Sequence, residues 1–596
     1  MDKTVYDYII DESTNWKTAR ISLTNSKDWN MSEHIERCFN VSNGWFHQGA
    51  NDGLRPYDDI VTPIIDFAFR SEGFDVKDII PYVNSSKDFY KSFIVKKYHP
   101  YWATENKLDT FIDEVVESSI IYDLVLVKDV NNSRPEVVSL QDIAFCDQSD
   151  ILSGPICLKH QYSISDLLSF KGKWDDDKID QCIALAKNSR MSSNDKEVKT
   201  PGKYCEIYEL HGLLPESWLI DGGNPNTYVD QMHIISFYLD SNGDKQGLTL
   251  YRGKNDKITD VFKALKVDTV RSKGRACGRS IVERLFEPQV WTNYSGIRIK
   301  EMLDAASLIL AQTSSNEITN QKLNSIKGLT VLKTEDGKPL NRVDTYTGAN
   351  LNEFANHKDR LAVSARTLGS ASETSLGKQP PAGTPFSLAD LVVSEGEGIH
   401  DYRRGKIATF FADILYPELI LKYLVDDINN SVEFLDELSL DEMNEVTKTI
   451  AINEAEDKVK EIIYKEGRPV TGEERDLMIT AIMDREKAKG SKRFIQSIKD
   501  EIKEIPMRVM VNVAGKQRYM AKNADRLSKL ISNILLNPQA FAMIPGLGSA
   551  YNQLLEESGM NPIDFSKIIS DVGSSSGVKT SKVESPVMKS ELEKEK

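Results

Sequence analysis

The feature that most limits the fold is a change of hydrophobic period along the chain. Between Tyr204 and Arg252, the segments YCEIYELHGLL, HIISFYLD and GLTLYRG alternate apolar and polar residues. A period of two places every second side chain on one face of a strand. On both sides the period lengthens to that of a helix. Leu108, Phe111, Ile112, Val115 and Val116 share one face of Asn106–Ser119, and Ile281, Val282, Leu285, Phe286 and Val290 open a similar pattern from Gly278 onwards. A chain that switches in this way is neither an all-helical bundle nor an all-β sandwich. The expected class is α+β, with an antiparallel sheet set between helices.

The remaining segments fill in that frame. Asp58–Phe69 reads as a helix that Pro63 starts or kinks. IIYDLVLVKDV (120–130), PEVVSLQDIAFCD (135–147) and CLKHQYS (157–163) read as three short strands, and 165–190 as a helix. SNGD at 241–244 is a hairpin turn. The helix from Gly278 should kink or restart at Pro288. LTVLKT (329–334) and LNRVDTY (340–346) read as a strand pair, and 389–429 and 438–504 as helix. RVMVNVAGK (508–516) reads as a strand pair or arm, and 523–556 as helix. Residues 367–387 (TLGSASETSLGKQPPAGTPFS) form a Gly-, Ser-, Thr- and Pro-rich loop, of a length that is usually functional or disordered. The composition after Asp571 is that of a disordered tail.

Composition limits function. At 596 residues the chain has room for about four domains. Lys and Arg total 75 against 90 Asp and Glu, a net charge of −15. Tight non-specific DNA binding comes from phosphate neutralisation, so a chain this acidic is a poor DNA coat. Cys38, Cys146, Cys157, Cys182, Cys205 and Cys277 include no CxxC pair, which suits reduced structural thiols. No signal-peptide pattern opens the sequence, and no apolar run approaches a membrane span. GxxxxGK followed by Ser or Thr is absent, as is HExxH. GSSSG at 573–577 matches the nucleophile motif only formally, because no strand precedes it. No catalytic, cofactor or metal residue stands out. The sharpest basic cluster, Arg271, Lys273, Arg275 and Arg279, reads either as a nucleic-acid contact or as a solvated turn leading into the long helix. Arg403, Arg404 and Lys406 form a second cluster, read as structural.

The order of elements, together with three stretches, resembles the portal proteins of tailed bacteriophages, the head–tail connectors. DEVVESSIIYDLVLVKDV looks like the portal wing helix running into a strand. GRSIVERLFEPQVWTNYSGIRIKEML looks like the portal segment whose glycine-led helix carries a leucine, a glutamine and an asparagine, here Leu285, Gln289 and Asn293. PPAGTPFSLADLVVSEGEGIHDYRRGKIATFFADILYPELI is similar to the region after the portal tunnel loop, most closely in crAss-like phages. The resemblance covers residues 60 to 430.

It implies a portal-type subunit with a mixed α/β wing, helical stem, β-rich clip and helical crown, assembling into a closed ring. The expected divisions are a wing at 1–160, a first stem helix at 161–199, a clip at 200–270 and a second stem helix at 271–315. A wing return follows at 316–430, then a crown at 431–570 and the tail at 571–596. The tunnel loop would be 367–387, with Gly369, Ser370, Gly377, Lys378, Gln379, Pro380, Pro381 and Gly383 as candidate residues. The resemblance further implies a homo-oligomer, usually a dodecamer, at one capsid vertex of the virion, made in the host cytoplasm. Double-stranded DNA would pass through it during packaging and ejection. The terminase large subunit and then head–tail adaptor proteins would dock on the clip, and major capsid and scaffolding proteins on the wing. No cofactor, enzymatic activity or membrane contact is implied. About twelve copies at −15 would carry about −180, a charge that keeps DNA from sticking to its conduit. The alternatives are another virion structural or adaptor protein, a nucleic-acid-processing enzyme, or a glycan-binding surface protein.

Overall fold

A computed structural model gives the fold and describes residues 4–23, 27–44, 57–82, 89–130, 134–188, 204–239, 245–269, 272–307, 311–312, 341–342, 348–371, 376, 398–430, 440–488 and 508–511. It is a mixture of helices and antiparallel sheets, the α+β class that the changing period predicts.

Helix α1 (Val5–Thr18) starts at a capping box in which Thr4 and Asp7 satisfy each other's backbone N–H groups. The hairpin β1 (Ile21–Leu23) and β2 (Lys27–Trp29) leads to α2 (Met31–Ser42), capped by Asn30. In α3 (Thr62–Glu72), Pro63 occupies the first turn, so it starts the helix and does not kink it. Asp59 Oδ1 accepts from the N–H groups of Val61 and Thr62 at that end. Strand β3 (Ile79–Tyr82), α4 (Phe89–Glu105) and α5 (Leu108–Tyr122) follow. The five apolar residues identified on α5 are all fully buried.

Strand β4 (Val125–Lys128) is shorter than expected, because α5 runs on to Tyr122 and Asp123 ends it in a left-handed conformation. The expected strand at 135–147 is two strands separated by a single 3₁₀ turn. One is β5 (Glu136–Val137), which pairs with β4, and the other is β6 (Ile143–Phe145), which joins a different sheet. Strand β7 (Ile156–Ser163) is as read. The helix expected over 165–190 is broken into α6 (Ile164–Ser169) and α7 (Asp176–Asn188) by the turn at Lys171–Trp174. Both described pieces pack on the sheet.

The alternating segments form β8 (Tyr204–Pro215), β9 (Tyr228–Leu239) and β10 (Lys245–Lys254), with the one-turn helix α8 (Glu216–Leu219) after β8. Together with β7 and β6 they make a five-stranded antiparallel sheet in the order β10-β9-β8-β7-β6, so pairing runs across the expected division at residue 160. On one face, Ile207, Ile234, Leu248 and Leu250 bury Leu167 of α6 and Ile179, Cys182 and Ile183 of α7. The opposite face receives α1. Tyr6 meets Phe237 edge-on, its hydroxyl lies 2.7 Å from Thr249 Oγ1, and a Cβ on Gly247 would overlap its ring. The one-turn helix α9 (Ile258–Val261) then leads to β11 (Phe262–Leu265), which completes a small β11-β4-β5 sheet.

Helix α10 (Ile281–Ser307) continues through Pro288 without the restart that the sequence allowed. A proline inside a helix costs about 3 kcal/mol. Packing of α10 on α2, α5 and α11 (Gly348–Leu368) outweighs that cost. Of the strand pair expected at 329–346, the first half lies outside the described residues. Strand β13 (Asn341–Arg342) pairs with β12 (Ala311–Gln312). Beyond α11, helix α12 (Gly398–Phe410) continues as a π-helical stretch (Phe411–Ile420) and then α13 (Leu421–Asn430). Helices α14 (Leu440–Glu466) and α15 (Gly472–Ala488) form a pair around Ala451, Ala455 and Ile482. Strand β14 (Arg508–Val511) pairs with β3, and the rest of the expected segment 508–516 lies outside the described residues. The helix read at 523–556 and the tail lie outside the described residues.

Candidate functional site

Among the described residues, the strongest concentration of buried charge lies where the chain enters the 367–387 segment and at His400 and Arg403 beyond it. Helix α12 places His400 and Arg403 on one face, three residues apart, and both are buried. Arg403 Nε donates to Glu72 Oε1 at 2.9 Å and Oε2 at 3.0 Å. Its Nη1 donates to Asp123 Oδ1 at 2.5 Å and its Nη2 to the Ser119 carbonyl at 2.7 Å. Glu72 ends α3 and Asp123 ends α5, so one guanidinium fork joins three helices. Burial opposes the charge of Arg403, but Glu72 and Asp123 outweigh it and hold its pKa above the ordinary guanidinium value.

His400 ties the same node to the loop. Its Nδ1 lies 2.9 Å from Glu72 Oε1 and its Nε2 3.1 Å from the carbonyl of Gly369. Both ring nitrogens face acceptors. Gly369 follows the last residue of α11, and Ser370 closes that helix with φ 53°. Gly369 is required for close approach: a Cβ there would lie 2.3 Å from Cγ2 of Ile64 on α3. Residues on either side of the candidate loop, at 369 and 400, are therefore pinned to each other and to α3. Of the candidate loop residues, Gly369 and Ser370 sit at this base. Gly377, Lys378, Gln379, Pro380, Pro381 and Gly383 lie outside the described residues.

The basic cluster faces two ways. Arg275 is buried. Its fork donates to Glu283 Oε1 at 3.0 Å and Oε2 at 2.8 Å, and Nη2 also donates to the Gly278 carbonyl at 2.9 Å. Those bonds engage both Nη groups, so this side chain is a brace for the start of α10. Lys273 and Arg279 are exposed, and Arg271 lies outside the described residues. Ser280 Oγ accepts from the Glu283 N–H and caps α10. Gly278 presses on the node itself. A Cβ there would lie 1.5 Å from Asp123 Oδ2, the atom that also accepts from the Asp268 N–H at 2.8 Å.

The three residues of the portal-like helix segment are buried on α10. Gln289 Oε1 accepts from the Ile60 N–H at 3.0 Å and its Nε2 donates to the Asp58 carbonyl at 2.7 Å. Asn293 Oδ1 accepts from the Asp58 N–H at 3.2 Å, and Leu285 is fully buried. They hold the chain that feeds α3. Helix α3 is thus fixed at its start by α10, packed by Gly369 in its first turn, and tied at its end to α12. Chemically, the node is an anchor: its carboxylates are matched by donors, and no nucleophile is paired with a base within it.

Sequence reading did not single out Glu72, Asp123 or His400. Asp123 gave one signal, a lone acid within the apolar run IIYDLVLV, where a charge must be paired if buried. Arg403 was placed correctly with the structural clusters.

No family model matches this chain, and no curated protein matches its sequence. Among solved structures it is similar to a chain of the virion of a native gene transfer agent particle, at 10% identity and a TM-score of 0.29, covering 74% of this chain and 98% of that one. It is also similar to a chain of the neck of an empty gene transfer agent particle, at 11% identity and a TM-score of 0.27, covering 73% and 96%. Overlap at these scores fixes neither the fold nor the function of this chain.

Proposed function

We propose that this chain is a virion structural protein and, more specifically, a portal subunit. Copies of it would close a ring at one capsid vertex, and DNA would pass through the centre. The observation that carries the reading is the clamp at the base of the 367–387 loop. A Gly- and Pro-rich segment leaves α11 at Gly369 and is tied back at His400, on a buried ion network that also grips α3 and α5. A loop that touches a moving polymer needs compliance along its length and a fixed root. Charge-assisted bonds in a buried site supply such a root. The net charge of −15 per chain supports the same reading, because a conduit must not bind its cargo tightly. Terminase, head–tail adaptors, capsid protein and scaffold are the partners that this function requires.

Native mass spectrometry with negative-stain electron microscopy of the purified protein tests it. A closed ring with a hole wide enough for a duplex is the expected result. A monomer with Mg²⁺-dependent nuclease activity would replace the portal reading with an enzymatic one. Deleting 370–382 is expected to leave the ring intact and impair DNA packaging or retention. Loss of ring assembly in that deletion would remove the loop from the channel.

A further inference from the structure

A cleft of about 890 Å³ opens beside the five-stranded sheet, away from the charged node. Its floor is the β9–β10 pair, its sides are the start of α1 and the α6–α7 turn, and its far rim is the segment after α8. Four aromatic side chains line it: Tyr6, Trp174, Trp218 and Tyr251. Trp174 is braced from behind by Phe170, stacked at 4.1 Å, and Trp218 by Tyr8 at 5.4 Å, so two indoles are held in place before any ligand arrives.

The charges at this cleft do not cancel. Asp175 is turned to the backbone and accepts from the N–H groups of Asp177 and Lys178 at the start of α7. Asp221 pairs with Arg252 at 3.0 Å. Lys173 and Lys178 line the cleft and have no carboxylate partner among the described residues. The floor holds an unmet acceptor. Gln231 Nε2 donates to the carbonyls of Leu214 and Pro215, which leaves Gln231 Oε1 to accept from His233 Nε2 at 2.9 Å. His233 therefore carries its proton on Nε2. Its Nδ1 is a bare lone pair without a partner, on a side chain only 1% exposed. This atom is closed off from solvent in the chain alone, so the recognition rests on the two lysines and the two braced indoles.

We propose that this cleft binds an extended acidic peptide segment of a partner protein. Carboxylates of the segment meet Lys173 and Lys178, and its apolar side chains lie between Trp174 and Trp218. Aromatic-lined grooves with a few placed polar groups are a recurring way to hold extended peptides. A nucleic-acid strand fits less well, since it demands several cations along a regular row of phosphates and this cleft offers two free ones. The site is complete within one chain, so it can be tested whether or not the chain closes into a ring.

The test is fluorescence anisotropy on the full-length protein with three labelled probes: a twelve-residue peptide alternating Glu with Pro or Leu, the same peptide with Lys for Glu, and an oligo-dT of equal length. The acidic peptide is expected to bind and the basic one not. The pair Lys173→Glu with Lys178→Glu should weaken binding by about tenfold or more with an unchanged melting temperature, since both side chains reach solvent. Trp218→Ala should weaken it as well. Equal binding of both peptides, preference for the oligonucleotide, or indifference to the charge reversal would each overturn the proposal. A chain shortened to residue 570 should bind the acidic peptide with the same affinity. A rise would assign the cleft to the chain's own tail and overturn the partner.

Discussion

Arg403 and Arg485 are the same residue in the same kind of pair, and they sit in opposite settings. Arg403 is 3% exposed against a Glu72 that is fully buried, whereas Arg485 on α15 is 48% exposed and meets a half-buried Glu454 on α14 at 2.6 Å. Around Arg403, charge gathers helix ends: α3 and α5 finish at Glu72 and Asp123, whose carboxylates reach the one fork that α12 carries. In the α14–α15 pair, the helices are aligned by Ala451, Ala455 and Ile482, and the surrounding ion pairs Arg485–Glu454, Arg475–Glu456 and Lys458–Glu454 are solvated. A buried pair specifies geometry because breaking it strands a charge; an exposed pair does not, because water takes over.

The largest effect expected from this contrast is at Arg403. Replacement by Met strands Glu72 and Asp123 and should cost about 3–5 kcal/mol in urea unfolding. Arg403→Lys, which keeps the charge and loses the fork, is the variant to use if the first fails to fold. Next comes Gly278→Ala, which drives a methyl into Asp123 and should cost about 2–4 kcal/mol. Gly472→Ala at the start of α15 meets nothing within 4 Å and should be close to neutral. An equal cost at the two glycines would erase the distinction.

Acidification should then separate the regions. Burial holds the His34 pKa down at about 4, below the 6.5 of a free imidazole. As pH falls, the unfolded chain takes up the proton first, so stability is fully present above pH 6.5 and declines towards pH 4. At pH 5 the loss is about 2 kcal/mol for this one group. His99 and His233, also held down at about 4 by burial, act in the same direction. The α14–α15 pair contains no histidine. Hydrogen exchange between pH 7 and pH 5 should therefore loosen α2 and the start of α10 while leaving α14–α15 unchanged. A smaller loss, about 1–3 kcal/mol, is expected for Gln289→Leu, which leaves the Ile60 N–H and Asp58 carbonyl unpaired. Smallest of all is Arg485→Ala, at about 0.5 kcal/mol or less.

The sheet was legible in the sequence because period two over three long segments has one reading, and β8, β9 and β10 appear where the alternation is. The apolar face of α5 was legible for the same reason. What misled was local. IIY before Asp123 has strand-forming residues, but they lie on the buried side of a helix already under way. Pro288 breaks a helix by its own chemistry, and α10 overrides it by packing. The buried node was nearly invisible. Glu72, Asp123 and Arg403 are separated by 51 and 280 positions, and no periodicity links them. Leu285, Gln289 and Asn293 were recognised as a pattern, but only the structure shows that the polar pair holds backbone at residues 58–60.

The pairing of β3 with β14 has a consequence in time. Ile79–Tyr82 is made early, and its partner Arg508–Val511 more than four hundred residues later. At ordinary rates of synthesis the first strand waits on the order of half a minute with that edge open. An open edge is a template for any other strand, including one from a neighbouring nascent copy. That edge needs cover while the rest of the chain emerges, either from the chain's own helices or from chaperones. Among the described residues, the last strand to be made is thus the one that covers an edge laid down near the start of the chain.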